Sequence, residues 1–170
     1  MDDAHDGSYA REPQLEDLVR LTRALNAHHV RYVLIGGFAV IAHGGARTTK
    51  DIDLLIDAGP ENVARVREAL QILEDKAVND VADDDVARYA VVRVADEIVV
   101  DLMSRACGVD YADASRDAVT IRFADVPVPV ASPSTLIRTK NTIRPSDAAD
   151  RQFLQVLIDE GARGPGVDRG

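Results

Sequence analysis

The chain has 170 residues, of which 46% are hydrophobic and 29% charged, enough apolar material for one compact domain. Aromatic residues make up 4% and the net charge is -9, which disfavours a protein that holds nucleic acid by stacked aromatics or by a uniformly basic surface but leaves a local basic patch open. The one cysteine excludes an internal disulfide, and neither a signal-like start nor a long apolar run occurs. We therefore expect a cytoplasmic protein without a membrane span.

The N-terminal part of the chain predicts a helix, a strand and a second helix joined by glycines. Apolar residues recur at helical spacing over residues 13–29. Tyr32–Ile35 is typical of a buried strand, and it runs directly into Gly36 and Gly37. A short helix is expected from there through residue 42.

The remaining predicted elements alternate between strands and helices. Two β-branched runs separated by Ala95 and Asp96 predict a tight antiparallel hairpin. Pro127 and Pro129 would confine the last predicted strand to an edge or an extended segment. In chain order, we expect strands at residues 51–57, 87–94, 97–103, 119–123 and 126–130, and helices at residues 61–73, 111–117, 133–144 and 147–160.

The element order predicts an α/β fold with a mixed, partly antiparallel sheet of about five strands covered by helices. One domain is expected over residues 13–160. Residues 1–12 and 161–170 lack hydrophobic periodicity and are expected to form disordered tails.

Three aspartates on two predicted strands are the candidate metal ligands. Asp51 and Asp53 are two apart in a strand and therefore project from the same face. Asp-x-Asp alone is weak evidence because the chain contains 22 Asp, and a solvated acidic strand edge would read the same way. Asp101 lies inside a hydrophobic run, where an acid needs a partner. Three converging carboxylates could hold two ions for displacement at phosphorus, whereas the alternative for Asp101 is an ion pair with an arginine.

Gly36 and Gly37 stand between a strand and a helix, where a phosphate could approach backbone N–H groups at the helix N-terminus. A tight strand-to-helix turn is the alternative. The segment with Arg47-Thr48-Thr49-Lys50-Asp51-Ile52-Asp53 resembles the nucleotidyltransferase superfamily that includes DNA polymerase β. LIGGFAVIAHGGARTTKDIDLLID is most similar to nucleotidyltransferases of the AbiEii/AbiGii toxin type, and VPVASPSTLIRTKNTIRPSDAAD resembles a second block of that group.

The resemblance implies roles for individual residues. Asp51, Asp53 and Asp101 would be catalytic and would bind two Mg²⁺ or Mn²⁺ ions, with Asp101 as the proton acceptor. The nucleotide would contact Gly36, Gly37, Arg47, Lys140 and Arg144. As alternatives, Lys140 would be an exposed helix lysine, and Arg47 and Arg144 would pair with Asp150 and other acids.

The expected function is transfer of a nucleoside monophosphate from an NTP to an acceptor hydroxyl with release of pyrophosphate. The resemblance favours a toxin-like enzyme that acts on RNA such as tRNA and has a cognate antitoxin. Net charge -9 and few aromatics favour a small-molecule acceptor, as in antibiotic-modifying enzymes. A catalytically silent binding module is a further alternative, although all three acids are present.

Overall fold

The computed structural model describes residues 9–162. Its helices are α1 (Leu15–Ala27), α2 (Gly36–Ala42), α3 (Pro60–Ala69), α4 (Asp85–Arg88), α5 (Tyr111–Ser115), α6 (Pro133–Thr139) and α7 (Pro145–Ala162). Its strands are β1 (Tyr32–Ile35), β2 (Asp51–Ile56), β3 (Val92–Ala95), β4 (Val99–Met103), β5 (Arg105–Ala106), β6 (Val109–Asp110), β7 (Val119–Phe123) and β8 (Val126–Val130). Short 3₁₀ helices at Leu70–Ile72 and Ala77–Asp80 connect α3 to α4.

Six strands form one mixed sheet in the order β3-β4-β2-β1-β8-β7. β1 is antiparallel to β2 and parallel to β8, and β4 is parallel to β2 and antiparallel to β3. The predicted mixed α/β fold is confirmed, with six strands in the main sheet rather than about five. A separate two-stranded ribbon of β5 and β6 was not predicted.

The core is aliphatic, as a chain with so few aromatics requires. Leu18, Leu21 and Leu25 of α1 are fully buried, because their spacing places them on one helix face. Ile52 and Leu54 of β2 are equally buried. Asp51 and Asp53 project from the opposite face of the same strand, so burial of β2 fixes the direction of both acids.

One predicted strand and one predicted helix need correction. Residues 87–91 are not a strand: α4 occupies the start of that run, and β3 begins only at Val92. The Asp85 carboxylate accepts a hydrogen bond from the Ala82 N–H at 2.8 Å, and Val86 is fully buried, so local capping and burial favour a helical turn. The predicted helix over residues 133–144 also ends earlier, at Thr139, and α7 starts at Pro145.

β8 is not an edge strand, because it lies between β1 and β7. Pro127 and Pro129 are tolerated there because their side of the strand faces β1, and β1 pairs with β8 only at Leu34 and Val130. The Pro127 carbonyl accepts a hydrogen bond from the side chain of Asn26 of α1 at 2.8 Å. The missing N–H groups limit the pairing of β1 with β8 to the one position of Leu34 and Val130, next to which the Ala131 N–H donates to the Leu34 carbonyl at 3.0 Å.

The predicted tails lie mostly outside the described residues. Arg11 belongs to the segment expected to be a tail, yet its N–H donates to the Glu97 carbonyl at 3.1 Å and its guanidinium pairs with Asp17 at 2.6 Å. At the other end, α7 continues to Ala162, two residues past the predicted domain boundary. Within residues 9–162, every helix is too short or too polar to cross a lipid bilayer.

Candidate active site

The three candidate acids come together at one point of the sheet. Asp53 pairs with Asp101 across the parallel strands β2 and β4, and Asp51 lies two residues earlier on the same face. One carboxylate oxygen from each of the three lies within 4.8 Å of an oxygen from each of the others. Carboxylate oxygens are the ligands that Mg²⁺ and Mn²⁺ prefer, so this converging donor set fits a divalent ion.

The proximity of the carboxylates makes their ionisation unfavourable. The pKa of Asp53 is raised to about 8, mainly by burial and then by the negative charges of Asp51 and Asp101, against opposing effects of Lys140 and Arg93. Burial and the charge of Asp101 also raise the pKa of Asp51. A cation is therefore the natural complement of this cluster.

Gly36 leaves the space in which Asp53 lies, and Gly37 leaves space for Thr49. Gly36 has a φ of 73°, and a Cβ atom on it would lie 2.0 Å from Asp53 Oδ2. A Cβ atom on Gly37 would lie 2.6 Å from Thr49 Oγ1. Both glycines start α2 at the end of β1, as expected from the sequence. Glycine is therefore required at position 36 for two reasons: the Asp53 carboxylate approaches it closely, and its backbone has a positive φ.

Lys140, Arg47 and Arg144 form an ion-pair cluster with two acids of α7. The Lys140 Nζ lies 3.0 Å from Asp150 Oδ2 and 3.8 Å from Asp147 Oδ1. Arg47 also pairs with Asp150, and the Arg144 Nε lies 3.1 Å from Asp147 Oδ2. The alternative of an exposed Lys140 is wrong, since its side chain is only 7% exposed. Arg47 and Arg144 therefore form the ion pairs with acids that the sequence analysis gave as the alternative to nucleotide contact.

All eight predicted site residues line one open cleft of about 880 Å³. Six basic side chains reach this cleft, a large share of the 20 in the chain: Arg47, Lys50, Arg93, Arg105, Lys140 and Arg144. Four acids line the same cleft, Asp51, Asp53, Asp101 and Asp147, so its lining has a small excess of positive charge although the protein as a whole is acidic, and we call it the basic cleft. Such a surface attracts a polyanion to the place where the carboxylates could hold a metal.

Arg93 is the principal site residue that the sequence did not identify. Its Nε and one terminal nitrogen each lie 2.9 Å from an oxygen of Asp101, and the same terminal nitrogen is 3.5 Å from Asp51 Oδ2. The sequence alternatives for Asp101 were a metal cluster or an arginine pair; in the structure Asp101 pairs with Arg93 and also lies in the cluster of three carboxylates. The alternation of side chains along the predicted hairpin could have identified Arg93. The predicted turn at Ala95 and Asp96, however, places a different residue opposite Asp101.

The comparisons with known proteins point to one family. The sequence model of the nucleotidyl transferase AbiEii toxin, type IV toxin–antitoxin system, matches residues 17–152. A candidate nucleotidyltransferase of Thermotoga maritima has a similar fold, with a TM-score of 0.56, 16% identity, and coverage of 92% of this chain and 99% of that one. No functionally curated protein matches the chain. The family match spans most of the chain, including every predicted site residue, and the chain therefore belongs to the AbiEii family of nucleotidyltransferases.

Proposed function

We propose that this nucleotidyltransferase moves a nucleoside monophosphate from an NTP to a hydroxyl of an RNA acceptor such as tRNA, with two Mg²⁺ or Mn²⁺ ions. The observation that supports it best is the cluster of Asp51, Asp53 and Asp101 beside the glycine turn, where a metal-bound triphosphate would find both its cation and backbone donors. Bound ions would activate the attacking hydroxyl and neutralise the departing pyrophosphate.

In this proposal the chain's own residues divide the work between nucleotide and acceptor. Asp51 and Asp53 would hold the metal–triphosphate, and Gly36 and Gly37 would allow its phosphates to approach α2. Asp101 accepts the proton of the acceptor hydroxyl while that oxygen bonds to the α-phosphorus. The bond from the α-phosphorus to the bridging oxygen breaks, and pyrophosphate leaves.

The basic cleft supports an RNA acceptor. Lys50 and Arg105 line it without an ion pair to any other residue within 9–162, so their charge is available to a phosphate backbone. Membership of a type IV toxin–antitoxin family also implies a cognate antitoxin. A small-molecule acceptor is the second candidate, favoured by the net charge of -9 and the scarcity of aromatic residues.

The function is tested by incubating the protein with each NTP labelled at the α-phosphate, with Mg²⁺, and with either total RNA or a panel of small hydroxyl compounds. We expect label to move to RNA, and label on a small molecule alone would support the second candidate. Asp53→Ala should abolish transfer. Absence of label in every acceptor, with the wild-type protein folded, would contradict the proposal.

Asp101→Asn separates proton acceptance from nucleotide binding. The substitution preserves the shape of the side chain, so NTP affinity should stay within a few-fold of wild type while transfer falls by roughly 10²-fold or more. Equilibrium binding of a non-hydrolysable NTP and the single-turnover rate give the two measurements. Full transfer by a stable Asp101→Asn protein would remove Asp101 from the proposed mechanism.

A further inference from the structure

The cation that the acid cluster needs is already present as a side chain. Arg93 is directly opposite Asp101 in the pairing of β3 with β4, so both side chains lie on the same face. Its guanidinium engages both oxygens of Asp101 at 2.9 Å and reaches Asp51 at 3.5 Å. Two of the three candidate metal ligands are therefore bridged by one positive group.

We propose that Arg93 is the resident countercation of the acid cluster and that a divalent ion enters by displacing its guanidinium from Asp101 and Asp51. The inference rests on the proposed metal-dependent function and adds a residue that sets metal affinity. A forked guanidinium fits a carboxylate by two parallel hydrogen bonds, so it competes with a metal for the same oxygens.

The surroundings of Arg93 allow such an exchange. Its side chain is 44% exposed, whereas that of Asp101 is only 7% exposed. The arginine lies on an edge strand and in the wall of the open cleft, so its long side chain can leave the acid without rearrangement of the core. Asp101 is fixed in a buried strand and stays in place for the incoming ion.

The direction in which removal of Arg93 changes metal affinity distinguishes competition with the metal from simple positioning of Asp101. If Arg93 only orients Asp101, its removal should weaken metal binding or leave it unchanged. If Arg93 competes with the metal, its removal should tighten metal binding. Loss of a nearby positive charge also tightens binding through the general field of the cleft, so the comparison needs a control with the same charge change.

Arg105→Gln is that matched control. Arg105 lines the same cleft and is exposed, but it has no ion pair with another residue within 9–162. Its removal changes the charge of the cleft equally without freeing a carboxylate oxygen. Asp53→Asn serves as the negative control, because it removes a ligand from the cluster itself.

The test is titration of the full chain with Mn²⁺, without nucleotide, followed by electron paramagnetic resonance of free Mn²⁺. We expect Arg93→Gln to bind Mn²⁺ at least ~10-fold more tightly than wild type and Arg105→Gln only about twofold more tightly, because water and salt screen charges that are not in contact. Arg93→Lys keeps the charge but loses the fork, so its affinity should fall between wild type and Arg93→Gln.

Equal effects of Arg93→Gln and Arg105→Gln, or weaker Mn²⁺ binding in Arg93→Gln, would overturn the proposal. If Arg93→Gln does not fold, an Arg93→Lys affinity equal to or below wild type would overturn it as well. Mn²⁺ binding by wild type without tightening in Arg93→Gln would remove only this inference and leave the proposed function standing. Absence of Mn²⁺ binding in every variant, even with an NTP, would remove both.

Discussion

At the level of single residues, the carboxyl group of Asp53 has the most strongly shifted pKa of the site. Its pKa is raised to about 8, first by burial and then by Asp51 and Asp101, so the folded protein holds a proton that the unfolded chain releases. The stabilising contribution of this proton is complete below the unfolded pKa of 3.8 and is lost as the pH rises through about 8. Through Asp53, the metal-free protein is therefore less stable at alkaline pH than at acidic pH.

We expect the free energy of unfolding of the metal-free protein to fall between about pH 4 and pH 8 more steeply in wild type than in Asp53→Asn. The amide cannot ionise, so in that variant residue 53 never becomes a negative charge beside Asp51 and Asp101. Urea unfolding in the presence of a chelator measures the difference. Asp75→Asn changes an exposed aspartate and should follow the wild-type profile. Identical profiles for wild type and Asp53→Asn would contradict the assigned cause.

Lys140 is expected to stabilise the fold independently of any contact with a nucleotide. Lys140→Ala leaves the buried Asp147 and Asp150 with Arg144 and Arg47 as their charged partners and with the Thr142 hydroxyl as a donor to Asp147. Breaking one partner of a buried ion pair typically costs about 3–5 kcal/mol, and the remaining arginines place this case near the lower end. Thermal and urea unfolding measure the loss.

Lys76→Ala is the control, since it removes an exposed lysine that contacts only backbone carbonyls. It should cost less than about 1 kcal/mol. Wild-type stability in Lys140→Ala would contradict the structural role. A nucleotide-binding defect in Lys140→Ala becomes meaningful only at a temperature where that variant is shown to be folded.

At the level of elements, the junction of β1 and α2 determines whether the acid cluster has room. Gly36 and Gly108 both have positive φ, 73° and 82°, but only Gly36 faces another group, the Asp53 carboxylate. We expect Gly108→Ala to cost about 1 kcal/mol from backbone conformation alone. Gly36→Ala should cost clearly more, and it should weaken Mn²⁺ binding because Asp53 must move.

Urea unfolding and Mn²⁺ titration of the two variants measure this difference. Equal stability losses, with Mn²⁺ affinity retained in Gly36→Ala, would show that the junction tolerates a side chain and that Asp53 is not confined by it.

The hairpin of β3 and β4 illustrates where sequence reasoning reached its limit. The sequence predicted two antiparallel strands with Asp101 inside the second, but a turn at Ala95 and Asp96 would place Ala90 opposite Asp101. In the structure Ala95 pairs with Val99, which brings Arg93 opposite Asp101. The Asp96 carboxylate explains the longer turn, because it accepts hydrogen bonds from Glu97 N–H and from Asp75 and Ala77 N–H groups. Distant backbone donors of this kind leave no periodic signal.

By contrast, the strand, glycine pair and helix around Gly36 and the pattern of β2 could be predicted almost to the residue. There the controlling interactions are local: burial alternates along β2, and the glycines mark the turn. The pairing of Lys140 with Asp147 and Asp150 could not be predicted, because it depends on how α6 packs against α7.

At the level of the whole molecule, charge is distributed unevenly, with a net charge of -9 and a basic cleft. If RNA is the acceptor, its affinity should fall with salt, and Lys50→Gln and Arg105→Gln should each reduce the slope of log affinity against log salt by about 1. Arg23→Gln, on α1 and paired with Asp125, should leave the slope unchanged. Filter binding over a range of salt concentrations measures the slopes, and an unchanged slope in both cleft variants would place RNA elsewhere.

The parallel pairing of β2 with β4 also determines when the site can form during folding. Because parallel neighbours need a crossover, the whole segment 57–98 must be arranged before Asp101 can meet Asp53. Such long-range closure is slow compared with formation of local helices. Mn²⁺ affinity should therefore appear only in the last refolding phase in a stopped-flow experiment, so the acid cluster reports completion of the sheet rather than its nucleation.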